Sequence, residues 1–81
     1  MYYTYIIQSN SGKIYTGHSG DIDKRIVEHN SGKCKTTKVD SNWKIIHLEK
    51  FKSRALAIKR EKWLKSGVGR EYIKNKILSR G

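Results

Sequence analysis

Tyr2-Tyr3-Thr4-Tyr5-Ile6-Ile7-Gln8-Ser9-Asn10-Ser11-Gly12-Lys13-Ile14-Tyr15-Thr16-Gly17-His18 is the stretch that decides the fold. Its first seven residues are aromatic or β-branched almost throughout, which suits a strand. Period-two alternation puts Tyr3, Tyr5 and Ile7 on one face and Thr4 and Ile6 on the other. Gln8 to Gly12 is turn material, and Lys13 to His18 can return antiparallel, so the stretch predicts a β-hairpin.

Downstream the period becomes helical. Asp21 suits an N-cap and Asn30-Ser31-Gly32 a stop, so a helix is expected over 21–30. Ile22 and Ile26 form its apolar stripe. Arg25 and His29 fall on the same side, aiming two polar groups with long reach where packing alone would be expected. Gly32 to Asn42 reads as a loop carrying Lys33, Lys35 and Lys38. Trp43 to Phe51 reads as a third strand, carried by Ile45, Ile46 and Leu48. Ser53 can cap a second long helix running to about Lys65 and ended by Ser66-Gly67, with Ala57, Ile58 and Leu64 inward. A third, shorter helix is expected over 70–78. The order β-β-α-β-α-α predicts an α/β domain, with a small, mostly antiparallel three-stranded sheet flanked by helices. Connectivity alone does not place the third strand.

The composition sets bounds. Eighty-one residues, 36% of them hydrophobic, suffice for one core, so residues 1–81 are expected to form a single domain. No apolar run approaches the roughly 20 residues of a transmembrane helix. Met1-Tyr2-Tyr3-Thr4 does not open like a secretory signal, and the single Cys34 has no partner for an internal disulfide or a metal pair. A cytoplasmic protein is the simplest expectation. Eighteen Lys and Arg face seven Asp and Glu, a formal +11 with a pI near 10. Such an excess favours a polyanion, because each neutralised phosphate releases condensed counterions. A membrane surface would call for a basic helix with a broad apolar face. Ile73, Ile77 and Leu78 offer too little, so nucleic acid is the better partner. Charge does not choose between DNA and RNA.

Glu61 is the first candidate for chemistry. It lies four residues after Ala57 and three before Leu64, in the middle of an apolar stripe. A carboxylate there must be paired, protonated or bound to a metal. An internal salt bridge to Arg25 or a nearby Lys is the plain alternative. Tyr5 and Tyr15 lie on adjacent strands, where they serve either as core aromatics or as phenols meeting at one patch. Gly17 leaves room for close approach, and an isolated His18 is more often a surface residue.

Tyr3-Thr4-Tyr5, a gap of nine residues, and Tyr15-Thr16-Gly17 resemble the paired motifs that name the GIY-YIG nuclease superfamily. The spacing of Arg25, His29-Asn30 and Gly32, and the string Arg60-Glu61-Lys62-Trp63-Leu64-Lys65-Ser66-Gly67, are similar to its small stand-alone members. The likeness spans nearly the whole chain. It departs from the pattern in the first motif, where Tyr3 and Thr4 replace Gly and Ile, and in the second, where Thr16 replaces Ile.

The resemblance implies a DNA endonuclease dependent on Mg²⁺ or Mn²⁺, acting in repair or turnover, with single-stranded or structured DNA among its candidate substrates. It implies that Glu61 binds the metal and that Arg25 grips the scissile phosphate. Tyr5 and Tyr15 match the motif tyrosines, Tyr15 being nearer the attacking water. His29 would act in proton transfer or phosphate contact. His18 falls where excision-repair relatives carry a lysine, and Asn75 is a loose match to the family's late asparagine. Chemically the set is coherent, since a metal and a guanidinium can stabilise charge on a phosphoryl group. Lys33, Lys35 and Lys38 on the loop, and Lys59, Arg60, Lys62 and Lys65 on the helix, form the expected substrate track. A partner protein supplying specificity and a non-catalytic nucleic-acid-binding module with the same fold are the alternatives.

Overall fold

The computed structural model describes residues 1–32, 40 and 42–78. Strands β1 (Tyr2–Gln8) and β2 (Ile14–Ser19) form the hairpin, followed by helix α1 (Ile22–Asn30) and strand β3 (Lys44–Phe51). Helix α2 (Arg54–Lys65) and the short helix α3 (Gly67–Tyr72) come next, and α3 runs on into a π-helical turn over Ile73–Ile77. The sheet is wholly antiparallel in the order β2-β1-β3. The third strand therefore lies beside the first, leaving β1 central and β2 at an edge.

The hairpin turn is fixed by backbone and side chain together. Gly12 adopts φ +93°, a left-handed conformation that costs glycine little. The Ser9 N–H donates to the Lys13 carbonyl at 2.9 Å, and the Ser9 hydroxyl accepts from the Lys13 N–H at 3.0 Å.

Alternation along β1 sends its side chains into two separate cores. Tyr5 and Ile7 pack with Trp43, Tyr15, Ile22 and Ile26 on the α1 face. Ile6 packs with Leu64, Ile73, Ile14 and Ile46 on the α2 face. The Thr4 hydroxyl donates to the Ala57 carbonyl at 2.7 Å and ties α2 to the central strand. The central strand is thus covered on both faces, which accounts for the run of four buried residues from Thr4 to Ile7.

Helix caps follow the sequence closely at α1 and α2. Asp21 accepts from the Lys24 N–H at 3.1 Å, and Ser53 from the Leu56 N–H at 3.3 Å. The third helix differs from expectation, starting at Gly67 rather than near residue 70. Ser66 closes α2 and caps α3 at once, its hydroxyl accepting from the Gly69 N–H at 3.2 Å. A Cβ on Gly69 would lie 2.0 Å from the Trp63 carbonyl oxygen and 2.4 Å from Leu64 Cα. Gly69 is what allows the two helices to meet at a sharp corner. The third strand begins one residue later than expected. Trp43 instead lies buried at its entrance, clipped to α1 through Asn30. Asn30 Oδ1 accepts from the Trp43 N–H at 2.6 Å while its Nδ2 donates to the Trp43 carbonyl at 3.1 Å.

Candidate active site

Strand β2 organises the site, because its alternation deals successive residues to opposite faces. Tyr15 and Gly17 point to the α1 face and His18 to the α2 face. Gly17 pairs with Tyr5 across the ladder. A Cβ at Gly17 would fall 2.6 Å from the Tyr5 hydroxyl and 3.0 Å from the Tyr15 ring. The glycine is what lets the two motif tyrosines close over the strand.

On the α1 face the aromatic rings of Tyr5, Tyr15 and His29 meet. The His29 ring lies 5.7 Å from that of Tyr5 and 5.1 Å from that of Tyr15, centre to centre. The Tyr5 hydroxyl is hydrogen-bonded to His29 Nε2 at 2.8 Å and accepts from Arg25 Nε at 3.3 Å. Burial, then the Arg25 charge, push the His29 imidazole below its ordinary value of 6.5, outweighing the opposite pull of Glu28. A neutral His29 can accept a hydrogen bond from the Tyr5 hydroxyl, with Arg25 donating to the same oxygen. Tyr5 and His29 are each only 1% exposed. As folded, they reach a substrate through what they hold in place, which is the guanidinium of Arg25 and the ring of Tyr15. The Tyr15 hydroxyl itself makes no hydrogen bond among the described residues.

Around the edge of β2 the chemistry is ionic. Glu61 on α2 is hydrogen-bonded through Oε1 to His18 Nδ1, and its Oε2 accepts from Lys65 Nζ at 2.6 Å. Burial pushes the Glu61 carboxyl up, but the hydrogen bonds and charges of Lys65 and His18 outweigh it and hold the group below the usual carboxylate range. Glu61 is therefore ionised, with its side chain 14% exposed. It makes no ion pair with Arg25 among the described residues. The pairing alternative is realised with Lys65, one helical turn along, and with His18. Lys65 also links the two faces, its ammonium lying 5.7 Å from the centre of the Tyr15 ring.

A cleft of about 450 Å³ joins the two groups. His18, Arg25, Lys24, Glu28, Arg54 and Tyr2 line it, so the partner of Glu61 and the guanidinium held by Tyr5 face one space. The Arg25 guanidinium is 3.4 Å from Glu28, a long pairing.

Not every expected substrate contact lies here. Arg60 donates to both oxygens of Glu49, at 2.8 and 3.2 Å, and its guanidinium sits 4.5 Å from the centre of the Trp63 ring and 5.4 Å from that of Tyr72. Its head group is committed to clamping β3, α2 and α3 together, a bidentate geometry particular to arginine. Lys33, Lys35, Lys38 and Cys34 lie outside the described residues. Lys59, Lys62 and Lys65 are exposed on α2. Lys24 and Arg54 line the cleft and escaped the sequence reading, because isolated basic residues at helix starts carry no signal of what they face.

A divalent cation is compatible with one residue of the site. Mg²⁺ keeps several waters and is commonly held by only one or two carboxylates. Glu61 is ionised, and each of its oxygens has a lone pair beyond the one engaged by Lys65 or His18. No group of three or more His, Cys, Asp or Glu gathers among the described residues. Glu61 would be the residue to hold the ion, in competition with the Lys65 ammonium.

A three-stranded sheet with β1 central, paired tyrosines over a glycine, and a helix-borne arginine and glutamate define a class. The chain belongs to the GIY-YIG family, a superfamily of endonucleases, whose catalytic-domain model matches residues 1–75. It is 36% identical over 81 residues to a UPF0213 protein of Staphylococcus saprophyticus, covering 99% of this chain and 96% of that one. A UPF0213 protein of Haloquadratum walsbyi is 35% identical over 66 residues, covering 80% and 74%. The solution NMR structure of the UPF0213 protein BH0048 from Bacillus halodurans superposes with a TM-score of 0.54 at 32% identity, over 90% of this chain and 82% of that one. No helix among the described residues is long and apolar enough to cross a membrane.

Proposed function

We propose that this chain is a metal-dependent endonuclease that hydrolyses phosphodiester bonds in DNA, serving repair or turnover. One observation carries the reading: Arg25 and His18, the hydrogen-bond partner of an ionised Glu61, line one cleft from opposite faces of β2, and Tyr15 stands on the same strand beside His29 and Lys65. Arg25, held through its Nε by Tyr5, meets the phosphate. Tyr15, whose hydroxyl is uncommitted among the described residues, orients the attacking water. His29 and Tyr5 are positioning residues for these two. Lys24, Arg54 and Lys65, with the lysines of the loop, add phosphate contacts and make binding salt-sensitive. A Mg²⁺ or Mn²⁺ ion on Glu61 would supply charge stabilisation at the phosphoryl oxygens. Target choice in the cell is left to a partner protein or to DNA structure.

The test is incubation of the purified chain with single-stranded, duplex and branched DNA, with Mg²⁺, Mn²⁺ or chelator. Wild-type protein cuts only with metal, and Glu61→Gln does not cut, while DNA binding in chelator stays within about twofold. Cutting that survives the substitution contradicts the proposal.

A second reading has its own support. Both Glu61 oxygens already accept a hydrogen bond from Lys65 or His18, so the carboxylate is satisfied without metal, as a non-catalytic binding module would need. DNA binding with no cutting, and no Mn²⁺ bound in an electron paramagnetic titration, would establish that reading instead.

A further inference from the structure

Beyond the cleft, β2 borders a second cavity. It holds about 540 Å³, within the roughly 300–1,000 Å³ typical of small-ligand sites. Buried Leu64 and Ile73 and half-buried Ile14 form its base. Tyr15 forms one wall, and the exposed Lys65, Arg70 and Leu78 stand at its mouth. The cavity is thus apolar within and cationic at the rim, and it shares Tyr15 and Lys65 with the site already described.

The two cavities follow one another along the edge strand. The groove lines residues 14–16 of β2, and the cleft takes His18 and Ser19. Strands rise about 3.3 Å per residue, so the two are only on the order of 10 Å apart. Their chemistries differ in the way that the parts of a nucleotide differ. The cleft offers Arg25, Lys24 and Arg54 to phosphate. The groove offers aliphatic side chains and a phenol ring to something flat and apolar, with Lys65 and Arg70 placed to meet the phosphates on either side of it.

The geometry points to the groove as a nucleobase subsite, filled by an unpaired base of single-stranded DNA close to the phosphate held in the cleft. This rests on the nuclease reading above and narrows its substrate class. In a duplex every base is stacked and paired, and entry here would require extrusion at a cost of a few kcal/mol. A single strand, with its bases free, enters without that cost and gains contact with the Tyr15 ring. Substrate choice then lies in this groove, which reads the absence of a partner strand and not a sequence.

The test measures binding without cutting. Fluorescence anisotropy in chelator follows a labelled single-stranded oligonucleotide in which one abasic nucleotide is moved stepwise along the chain. Base–aromatic stacking contributes on the order of tenfold in affinity per base. The expected result is a loss of about five- to tenfold when the abasic nucleotide reaches one register, with little effect elsewhere. That dip vanishes in an Arg70→Ala, Leu78→Gln double variant, whose two positions are exposed and leave the thermal unfolding midpoint in place. The blunt duplex of the same sequence shows no dip. A penalty that is uniform along the strand, a dip that persists in the double variant, or no binding of the intact strand overturns the subsite. Failure of the nuclease reading looks different, as a dip at one register in a protein that never cuts with metal. Equal cutting of duplex and single strand with no dip removes the subsite alone.

Discussion

The two sides of the edge strand solve different problems with different physics. On the α1 side, Tyr5, His29 and Arg25 form a network that is neutral at its two buried members and meets solvent at the Arg25 guanidinium. On the α2 side, Glu61 and Lys65 form an ion pair that His18 joins by a hydrogen bond, and all three are partly exposed. Burial fixes geometry but excludes ions, and exposure admits ions but loosens geometry. A hydrolytic site needs both an oriented guanidinium and an accessible carboxylate. Strand alternation supplies them from neighbouring residues, with Gly17 facing one side and His18 the other.

The largest expected contrast is therefore between rate and stability. Glu61→Gln should lower metal-dependent cleavage at least a hundredfold, as loss of a charge-stabilising group does, while shifting stability by about 1 kcal/mol or less. His29→Phe should do the reverse. Without the imidazole the Tyr5 hydroxyl loses a buried hydrogen bond, a cost of about 1–3 kcal/mol in urea unfolding, with cleavage falling only about tenfold. Equal effects of the two substitutions on rate would erase the division between the faces.

Gly17→Ala comes next. The added methyl group must displace the Tyr5 hydroxyl from between His29 and Arg25, and overpacking of this kind costs about 1–3 kcal/mol. Denaturant midpoints of the variant and wild type measure it directly.

Acid should separate the faces in two steps. The folded value of His29 lies below its ordinary 6.5, so the unfolded chain binds that proton first. Stability present above pH 6.5 is lost as pH falls through the folded value. Glu61 and Glu49 lie below their ordinary 4.5, so their contribution is present above pH 4.5 and is lost as pH falls through their own folded values. Unfolding free energy against pH should show both declines in wild type and only the lower one in His29→Phe.

Lys65→Gln should matter least to the fold. The ammonium is half exposed and paired one helical turn away, a geometry that contributes under about 0.5 kcal/mol. Thermal melts of that variant should overlay those of wild type within about 2 °C.

How much of this could be read in the chain beforehand follows from the range of each interaction. The hairpin, the two capped helices and the placing of Arg25 and His29 beside Ile22 and Ile26 depend on neighbours within a few residues, and periodicity exposes them. The carboxylate in the Ala57–Leu64 stripe was equally visible, and Lys65 four residues on was a natural partner. The link from His18 to Glu61 spans 43 residues and depends on which face of β2 meets α2, which no local pattern states. The same holds for Arg60, whose pairing with Glu49 requires knowing that β3 lies under α2. Asn30 read as a helix stop and does end α1, but its second task, imitating a backbone partner for Trp43, needs the chain to return there. The corner between α2 and α3 is a mixed case. Gly67 read as a stop and does follow the end of α2, whereas it is Gly69, tightly packed against Trp63 and Leu64, whose small size the corner demands.

A double-variant cycle tests most directly whether the two faces act on one phosphate. Single-turnover cleavage is measured for Arg25→Lys, Glu61→Asp and the pair together, conservative changes that keep rates measurable. Groups serving one transition state are strongly non-additive, so the double variant should be slower than the worse single variant by no more than about threefold. A double variant whose loss equals the product of the two single losses would contradict a shared site across β2.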